Sequence, residues 1–363
     1  MNRLTISIFL LAAVWLLSSC LRDEDLKLPF TGYVPTQLDD DWPLSSPEAE
    51  GMDAQAIQDV YARVFSEDEF PLAHSLLIVR NGKLVAEAYC RDEREQEWFH
   101  HLQSATKSVT SLLLGIAIDQ GLVDSVNTRV YDIIPEHFDD DVRKRAITLY
   151  HVLTMQTGLH WSETGIKTAG TPALYLYTKN SLSYVLGNNL DHQPGTRHNY
   201  NDGDPQLISG VIQKLTGMTM DAFADTHLFR PLGISDYQWE QHHDGVTFGA
   251  FGLWLKPRDM AKIGKLVKQD GIWNGRQIVS AQWISESTQL HVPENYYGYY
   301  WKVREETDPF YAVGHGGQYI HITPLEDLVI VITSDPNGAL GEFGEYEGNW
   351  GTIFAQVRDA IHD

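Results

Sequence analysis

Cysteine and positive charge are what this chain has least of. Its 363 residues hold two cysteines, Cys20 and Cys90, so no network of disulfides can staple the fold together. Lysine and arginine number 27 against 49 aspartates and glutamates, a formal net charge of −22. A surface so acidic repels phosphate backbones and anionic headgroups, and nucleic acid is not expected as a partner. Long apolar runs are missing too: the longest uncharged one, Leu4 to Leu17, rises only about 21 Å as a helix, short of the ~30 Å hydrocarbon core of a bilayer. Histidines occur in pairs, His100-His101 and His242-His243, but without a His-Glu-x-x-His spacing or cysteine ligands, so no metal is expected. A Gly-x-Ser-x-Gly elbow, a phosphate-cradling glycine loop and internal repeats are also lacking, which argues against strand-turn-helix serine hydrolases and nucleotide enzymes.

What is present begins with a leader. One basic residue, Arg3, precedes the apolar run, and Leu17-Ser18-Ser19-Cys20 follows it, the pattern of a secretory signal. Those four residues resemble a bacterial lipobox. The resemblance implies cleavage before Cys20 and lipidation of its thiol, so that acyl chains and not a helix would hold the protein at a membrane. Leu21 is not the aspartate of inner-membrane retention, and the expected location is the periplasmic side of a bacterial cell envelope, at the outer membrane. From Cys20 to Ser45 the sequence is acidic and dotted with proline, which suits a solvated tether. The expected organisation is a signal over 1–19, a lipid-anchored tether over 20–45 and a folded domain over 46–363.

Within that domain, Ile57, Val60, Tyr61 and Val64 have helical spacing, with Asp53 as N-cap. Two apolar runs flank Asn81-Gly82, residues that tolerate the positive φ of a type I′ hairpin turn, and Cys90 at the end of the second reads as a packing residue. Roughly 122–245 is helical pieces and loops. The C-terminal part returns to short aromatic or β-branched runs, "YYWKVR", "FYAVG", "GQYIHITP" and "LVIVITS", followed by a helix. Strands at both ends predict an α+β fold: one antiparallel sheet built from distant segments and flanked by helices, with an inserted, mainly helical region.

The stretch "HLQSATKSVTSLLLGIAIDQG", His101–Gly121, places Ser104 and Lys107 three apart at the head of an apolar run. Residues i and i+3 share a helix face, so hydroxyl and ammonium can point into one cleft. A serine needs a proton acceptor to attack, and burial or a nearby cation is expected to lower the Lys107 pKa enough to make it one. With 20 serines and 12 lysines in the chain, about two-thirds of one Ser-x-x-Lys match arises by chance, so the pair needs company.

Company comes from "PGTRHNYNDGD", with Tyr200 in a turn-rich loop before an amphipathic helix, and from "GHGGQYIHITP", with His315 beside Gly316 and Gly317 on an edge-like strand. Order and context resemble the serine β-lactamase and penicillin-binding-protein family, closest to its branch of class C β-lactamases, esterases and 6-aminohexanoate-dimer hydrolase. "SATKSVTSLLLGIAIDQG", "VLTMQTGLHW", "YNDGD", "FGAFGLWLKPRDMAKIGKLV" and "HGGQ" match its segments in order. The resemblance implies a β-lactamase/transpeptidase-like fold and a serine hydrolase that forms an acyl-enzyme without metal or organic cofactor.

It further implies that Ser104 is the nucleophile, Lys107 the proton acceptor and Tyr200 the proton relay. The oxyanion hole would be the N–H groups of Ser104 and Gln318, and substrate would meet Asp202, His315, Gly316 and Gly317. Two positions depart from the family. Asp202 stands where the family has asparagine, and His315 where it has lysine. Histidine is mostly uncharged at pH 7, so it is no permanent clamp for a carboxylate, and neutral esters or amides are the expected substrates. Cell-wall peptides or β-lactams are the alternative, and a catalytically silent binding protein a second. Trp161, Trp254, Tyr299 and Trp301 are candidate walls of an acyl pocket or core residues, and Arg197 a carboxylate contact or a surface ion-pair partner.

Overall fold

The computed structural model describes residues 27–38, 40, 42–66, 68–162, 170, 178–304, 309–336 and 345–362. Cys20 and the leader lie outside the described residues, as do residues 20–26 of the expected tether.

In chain order, helix α1 (Ala54–Val64) leads to strands β1 (Ala73–Arg80), β2 (Lys83–Tyr89) and β3 (His100–His101), then to helix α2 (Thr106–Asp119). Helices α3 (Leu149–Leu153), α4 (Ser181–Gly187), α5 (Gly203–Thr216) and α6 (Met220–Ala224) follow, then β4 (Gln238–Trp239), β5 (Leu253–Leu255) and helix α7 (Pro257–Lys268). A hairpin of β6 (Ile272–Trp273) and β7 (Arg276–Gln277), helix α8 (Ala281–Ser287), strands β8 (Lys302–Val303), β9 (Phe310–Gly314), β10 (Gln318–Thr323) and β11 (Leu328–Ser334), and helix α9 (Glu345–Asp359) complete the chain.

Local signals act where they were expected. Asn81 and Gly82 take φ of 50° and 73°, turning β1 into β2. The Asp53 side chain accepts from the N–H groups of Gln55 and Ala56, and Ile57, Val60, Tyr61 and Val64 are the buried face of α1.

The main sheet is antiparallel, in the order β2-β1-β11-β10-β9-β8, so β1 pairs with a strand from the far end of the chain. Successive side chains alternate between its faces. Leu76 and Ile78 of β1 join Ile330 and Ile332 of β11 in one core, closed by α1 and α9. Leu77, Val79, Ile320 and Val331 face the other, larger core with α2 and α7. Helix α7 lies so close to the sheet that a Cβ on Gly264 would stand 2.5 Å from Val329 Cγ1, which is why only glycine fits there. Between 122 and 245 the described residues are helical turns and α3 to α6, with β4 the one named strand, and α5 packs against α2, α3, α4 and α6.

The stretch from Lys27 to Ser45 differs from the solvated tether expected of its composition. Its described residues are docked along β2: Leu28 N–H donates to Cys90 O at 2.6 Å, Glu87 N–H to Tyr33 O at 2.9 Å, and Leu84 N–H to Pro43 O at 3.0 Å. Phe30 and Tyr33 stack on Tyr61, and Arg258 of α7 bridges Asp40 (2.7 Å) and Glu87 (2.5 Å) while donating to Thr36 O. Counting charges and prolines misses this because two aromatic rings and one buried guanidinium hold the segment. Cys90 is fully buried, in keeping with its reading as a packing residue.

Candidate active site

The chain enters α2 through a strained turn. Leu102 N–H donates to Leu253 O at 2.9 Å, and Gln103, at φ +51°, donates its N–H to His101 Nδ1 at 2.8 Å. Left-handed backbone at a non-glycine residue costs about 1–3 kcal/mol. It sits one residue before Ser104, in the 3-10 turn Gln103–Ala105 that runs into α2. The helix is buried all round from Thr106 to Ala117. Its rotation is fixed by hydroxyls that reach other segments: Ser108 Oγ donates to Tyr300 O at 2.6 Å and Thr110 Oγ1 to Gly249 O at 2.7 Å. Ser104 and Lys107 consequently share a face, with Lys107 Nζ 2.9 Å from Ser104 Oγ.

Tyr200 and Asp202 reach the same point from the loop before α5. Asn199 N–H donates to Met155 O at 2.8 Å, and Asn201 folds the loop: its Nδ2 donates to Asn199 O at 2.8 Å and its Oδ1 accepts from Asp204 N–H at 2.6 Å. Asp202 Oδ1 lies 2.6 Å from Lys107 Nζ, and the Tyr200 ring centroid 4.8 Å from it. Ala250 O, at 3.3 Å, is a further acceptor for the ammonium.

These contacts overturn one expectation. Burial, the largest single influence on Lys107, does push its pKa down, but the Asp202 charge, the Tyr200 hydroxyl and hydrogen bonds to both outweigh it, and the pKa is raised above that of a free lysine. Lys107 rests as an ammonium. The sequence pattern placed it on a buried helix face; the carboxylate that reverses the effect lies 95 positions on, in another segment.

Below this pair is a second carboxyl. Asp204 is 1% exposed, with Oδ1 accepting from Thr157 Oγ1 at 2.9 Å and no partner for Oδ2. Burial pushes its pKa up to about 7, against the opposing hydrogen bonds from Asn201 and Thr157. Sequence reading passed over Asp204, Asn201 and Ala250. Also missed was Lys302, whose ammonium stands 5.7 Å from the Tyr200 ring centroid and 5.2 Å from that of Tyr297. "YNDGD" carried a signal for Asp204 as a first-turn acid, but nothing local marks a backbone carbonyl or a lysine from β8.

The other expected residues divide. His315, Gly316 and Gly317 form the turn between β9 and β10, two interior strands, and not part of an edge strand as expected. The glycines take φ of 79° and 94°, and a Cβ would come within 2.5 Å of Pro336 Cα at Gly316 and 2.7 Å of Trp350 Nε1 at Gly317. Gln318 opens β10 with its side chain bonded to Ser334 (Nε2 to the carbonyl, 2.6 Å; Oε1 from the N–H, 3.2 Å). The hairpin packs on the Ser104 turn, and a Cβ on Gly314 would meet Leu102 O at 2.1 Å. Trp161 is buried behind the Tyr200 loop, where a Cβ on Gly203 would be 2.7 Å from its ring.

Tyr299 and Trp301 belong to the buried core, while Trp254 packs on His101 and donates to Glu240 at 3.2 Å. Arg197 is next to His192 at 3.3 Å, in an exposed contact. His100 packs on His74, and His242 contacts Asp244 at 2.8 Å and Thr178 at 3.1 Å. No group of three or more His, Cys, Asp or Glu able to hold a metal occurs among the described residues. No helix among them is long and apolar enough to cross a membrane.

Comparison with known proteins adds family and fold. Residues 71–345 match the family described as Beta-lactamase. The chain is 22% identical over 290 residues to a 6-aminohexanoate-dimer hydrolase of Paenarthrobacter ureafaciens, covering 71% of each protein. Among solved structures, a family VIII carboxylesterase superposes with a TM-score of 0.67 at 17% identity, covering 88% of this chain and 99% of that one. A penicillin-binding protein from Bacillus halodurans superposes with a TM-score of 0.61 at 15% identity, covering 82% and 98%. At such identities the superpositions speak for the fold alone, and they agree with the mixed α/β architecture expected from the sequence.

Proposed function

We propose, from the premise that this chain belongs to the beta-lactamase family, that it is a serine hydrolase cleaving neutral esters or amides through an acyl group on Ser104. One observation carries the reading: the Ser104 hydroxyl, the Asp202 carboxylate and the Tyr200 phenol meet around the buried Lys107 ammonium, with Nζ 2.9 Å from Oγ. Such a group can strip the proton from an attacking hydroxyl, return it to a leaving group and repeat both steps with water. Ser104 attacks the carbonyl carbon, and Tyr200 relays the proton to the departing alcohol or amine. The oxyanion is received by the N–H groups of Ser104 and Gln318, where each such donor stabilises a transition state by about 2.7–4 kcal/mol.

Two substitutions argue for neutral substrates. His315 stands where the family pattern carries lysine, and Asp202 puts a carboxylate where that pattern carries an amide. Both weaken the hold on a β-lactam or peptide carboxylate. The relative named 6-aminohexanoate-dimer hydrolase supports the hydrolase reading. The leader and Leu17-Ser18-Ser19-Cys20 support a lipid anchor at Cys20 on the periplasmic side of a bacterial envelope, which mass spectrometry of the native N-terminus tests.

The deciding experiment is labelling of the full chain with a fluorophosphonate probe, beside turnover of short acyl esters, amides, muropeptides and nitrocefin. Labelling is expected in the wild type and lost in Ser104→Ala, with esters or amides the best substrates. Absence of labelling would leave a silent binding protein, and faster release of D-alanine from muropeptides would replace the substrate class with cell-wall peptides.

A further inference from the structure

We propose that Asp202 is a positioning residue that stores the catalytic proton: as substrate closes the site, it takes a proton from the Lys107 ammonium, and the amine so freed accepts the proton of Ser104. The inference rests on the reading of Ser104 as nucleophile and adds a function for the carboxylate that departs from the family pattern.

An ammonium donates hydrogen bonds and accepts none. As it rests, Lys107 therefore holds Ser104 Oγ from the wrong side of the transfer, and a proton must leave Nζ before one can arrive. Its hydrogen-bonding neighbours are Ser104, Ala250 O, Tyr200 and Asp202. A peptide carbonyl and a neutral phenol are poor bases; Asp202 Oδ1, at 2.6 Å, is the carboxylate in contact. Tyr200 is a weaker candidate for the same task. A phenolate there would need the Lys107 charge, which Asp202 already offsets. Shedding water around a charged pair favours its neutral form, so a substrate that covers Asp202, whose side chain retains 12% exposure, drives the proton across.

Protons and charges balance. Lys107 gives its proton to Asp202; Ser104 then gives its own to the neutral amine as Oγ bonds to the carbonyl carbon, leaving an oxyanion beside an ammonium and a neutral carboxyl. When the carbon–leaving group bond breaks, the ammonium protonates the leaving atom, through Tyr200 where that is nearer, and Asp202 returns its proton to the amine. Water repeats the cycle and releases the acid.

The titratable groups around Asp202 are Lys107 on α2, Tyr200 in its own loop, Asp204 at the head of α5, and Tyr297 and Lys302 around β8. In the wild type the pair works while it holds one shared proton, so kcat/KM for a neutral ester is expected to stay within about threefold between pH 6 and 9. In Asp202→Asn, burial is opposed only by the Tyr200 contacts, and the Lys107 pKa is expected to fall. The amine must then be neutral before it can act, and activity is lost as pH falls below that value. The full chain carrying Asp202→Asn should show an acid limb moved upward, with kcat/KM falling about tenfold per pH unit below it. Asp202→Glu should restore the flat profile. A wild-type profile at a lower rate in Asp202→Asn, or no recovery of shape in Asp202→Glu, overturns the relay while leaving Ser104 as nucleophile. Fluorophosphonate labelling that survives Ser104→Ala overturns both.

Discussion

Asp202 and Asp204 stand two positions apart at the head of one helix, and their surroundings differ. Asp202 faces a buried ammonium 2.6 Å away. The Asp204 carboxyl accepts from a threonine hydroxyl, has one oxygen without a partner, and has its pKa pushed up to about 7 by burial, while the backbone N–H of Asp204 donates to Asn201 Oδ1. Residue type and helix position are nearly the same. What differs is exposure and whether a cation from a distant segment arrives, and together these separate a group suited to exchanging protons from one that strains the fold when it ionises.

The contrast breaks most completely if its cation is removed. Lys107→Met leaves Asp202 with no counter-charge on α2 and Ser104 with no proton route; we expect kcat/KM for a short acyl ester to fall by ~10³ or more in stopped assays, as for other nucleophile-activating residues. Retention of a tenth of the activity would show that the pair is structural.

The next effect is on stability and belongs to Asp204. Its folded pKa lies above that of an unfolded aspartate, so the stability linked to its neutral form is fully present below about pH 4 and is lost as pH rises through about 7. Asp204→Asn keeps an acceptor for Thr157 and cannot ionise. In urea unfolding it should gain about 2–4 kcal/mol over wild type at pH 8, with the gain gone near pH 4. An equal difference at both values would mean that Asp204 does not titrate in this range.

Asn201 touches both halves of the comparison, because its amide receives Asp204 N–H and shapes the loop that carries Tyr200 and Asp202. Asn201→Ala should cost about 1 kcal/mol in the same unfolding experiment and lower kcat more than it raises KM. Unchanged kcat would show that the loop holds its shape without it.

Smallest is the change expected of His315→Lys, which puts a permanent cation in the β9–β10 turn. Ester turnover should shift by less than about threefold, while KM for a carboxylate-bearing ester should fall several-fold relative to its neutral analogue. An equal change in both would place residue 315 outside the substrate's reach.

How much of this was legible in the chain follows the range of the interactions. The Asn81-Gly82 turn, the Asp53 cap and the β-branched runs of β10 and β11 are settled within a few residues, and the pattern of those residues shows them. Ser104 and Lys107 were legible as neighbours because one helical turn relates them. The charge state of Lys107 was not, since it depends on a contact between α2 and the loop before α5. His315 looked like a strand residue because β-rich sequence surrounds it; the two glycines, needed where Pro336 and Trp350 crowd the backbone, were the sign of a turn. The stretch 27–45 misled through composition, because its prolines and aspartates read as solvated while Phe30 and Tyr33 dock it on Tyr61.

That docked stretch has a consequence for how the protein behaves in company. A sheet's outermost strand offers unpaired amides and carbonyls to any chain that drifts past, and β2 is seven residues long. Here the preceding segment is already hydrogen-bonded along that strand, while at the opposite border β8 has only two residues to offer. Trimming the protein to the start of α1 would therefore bare a sticky rim that the intact chain keeps sheathed, and clumping at high concentration would be the first symptom.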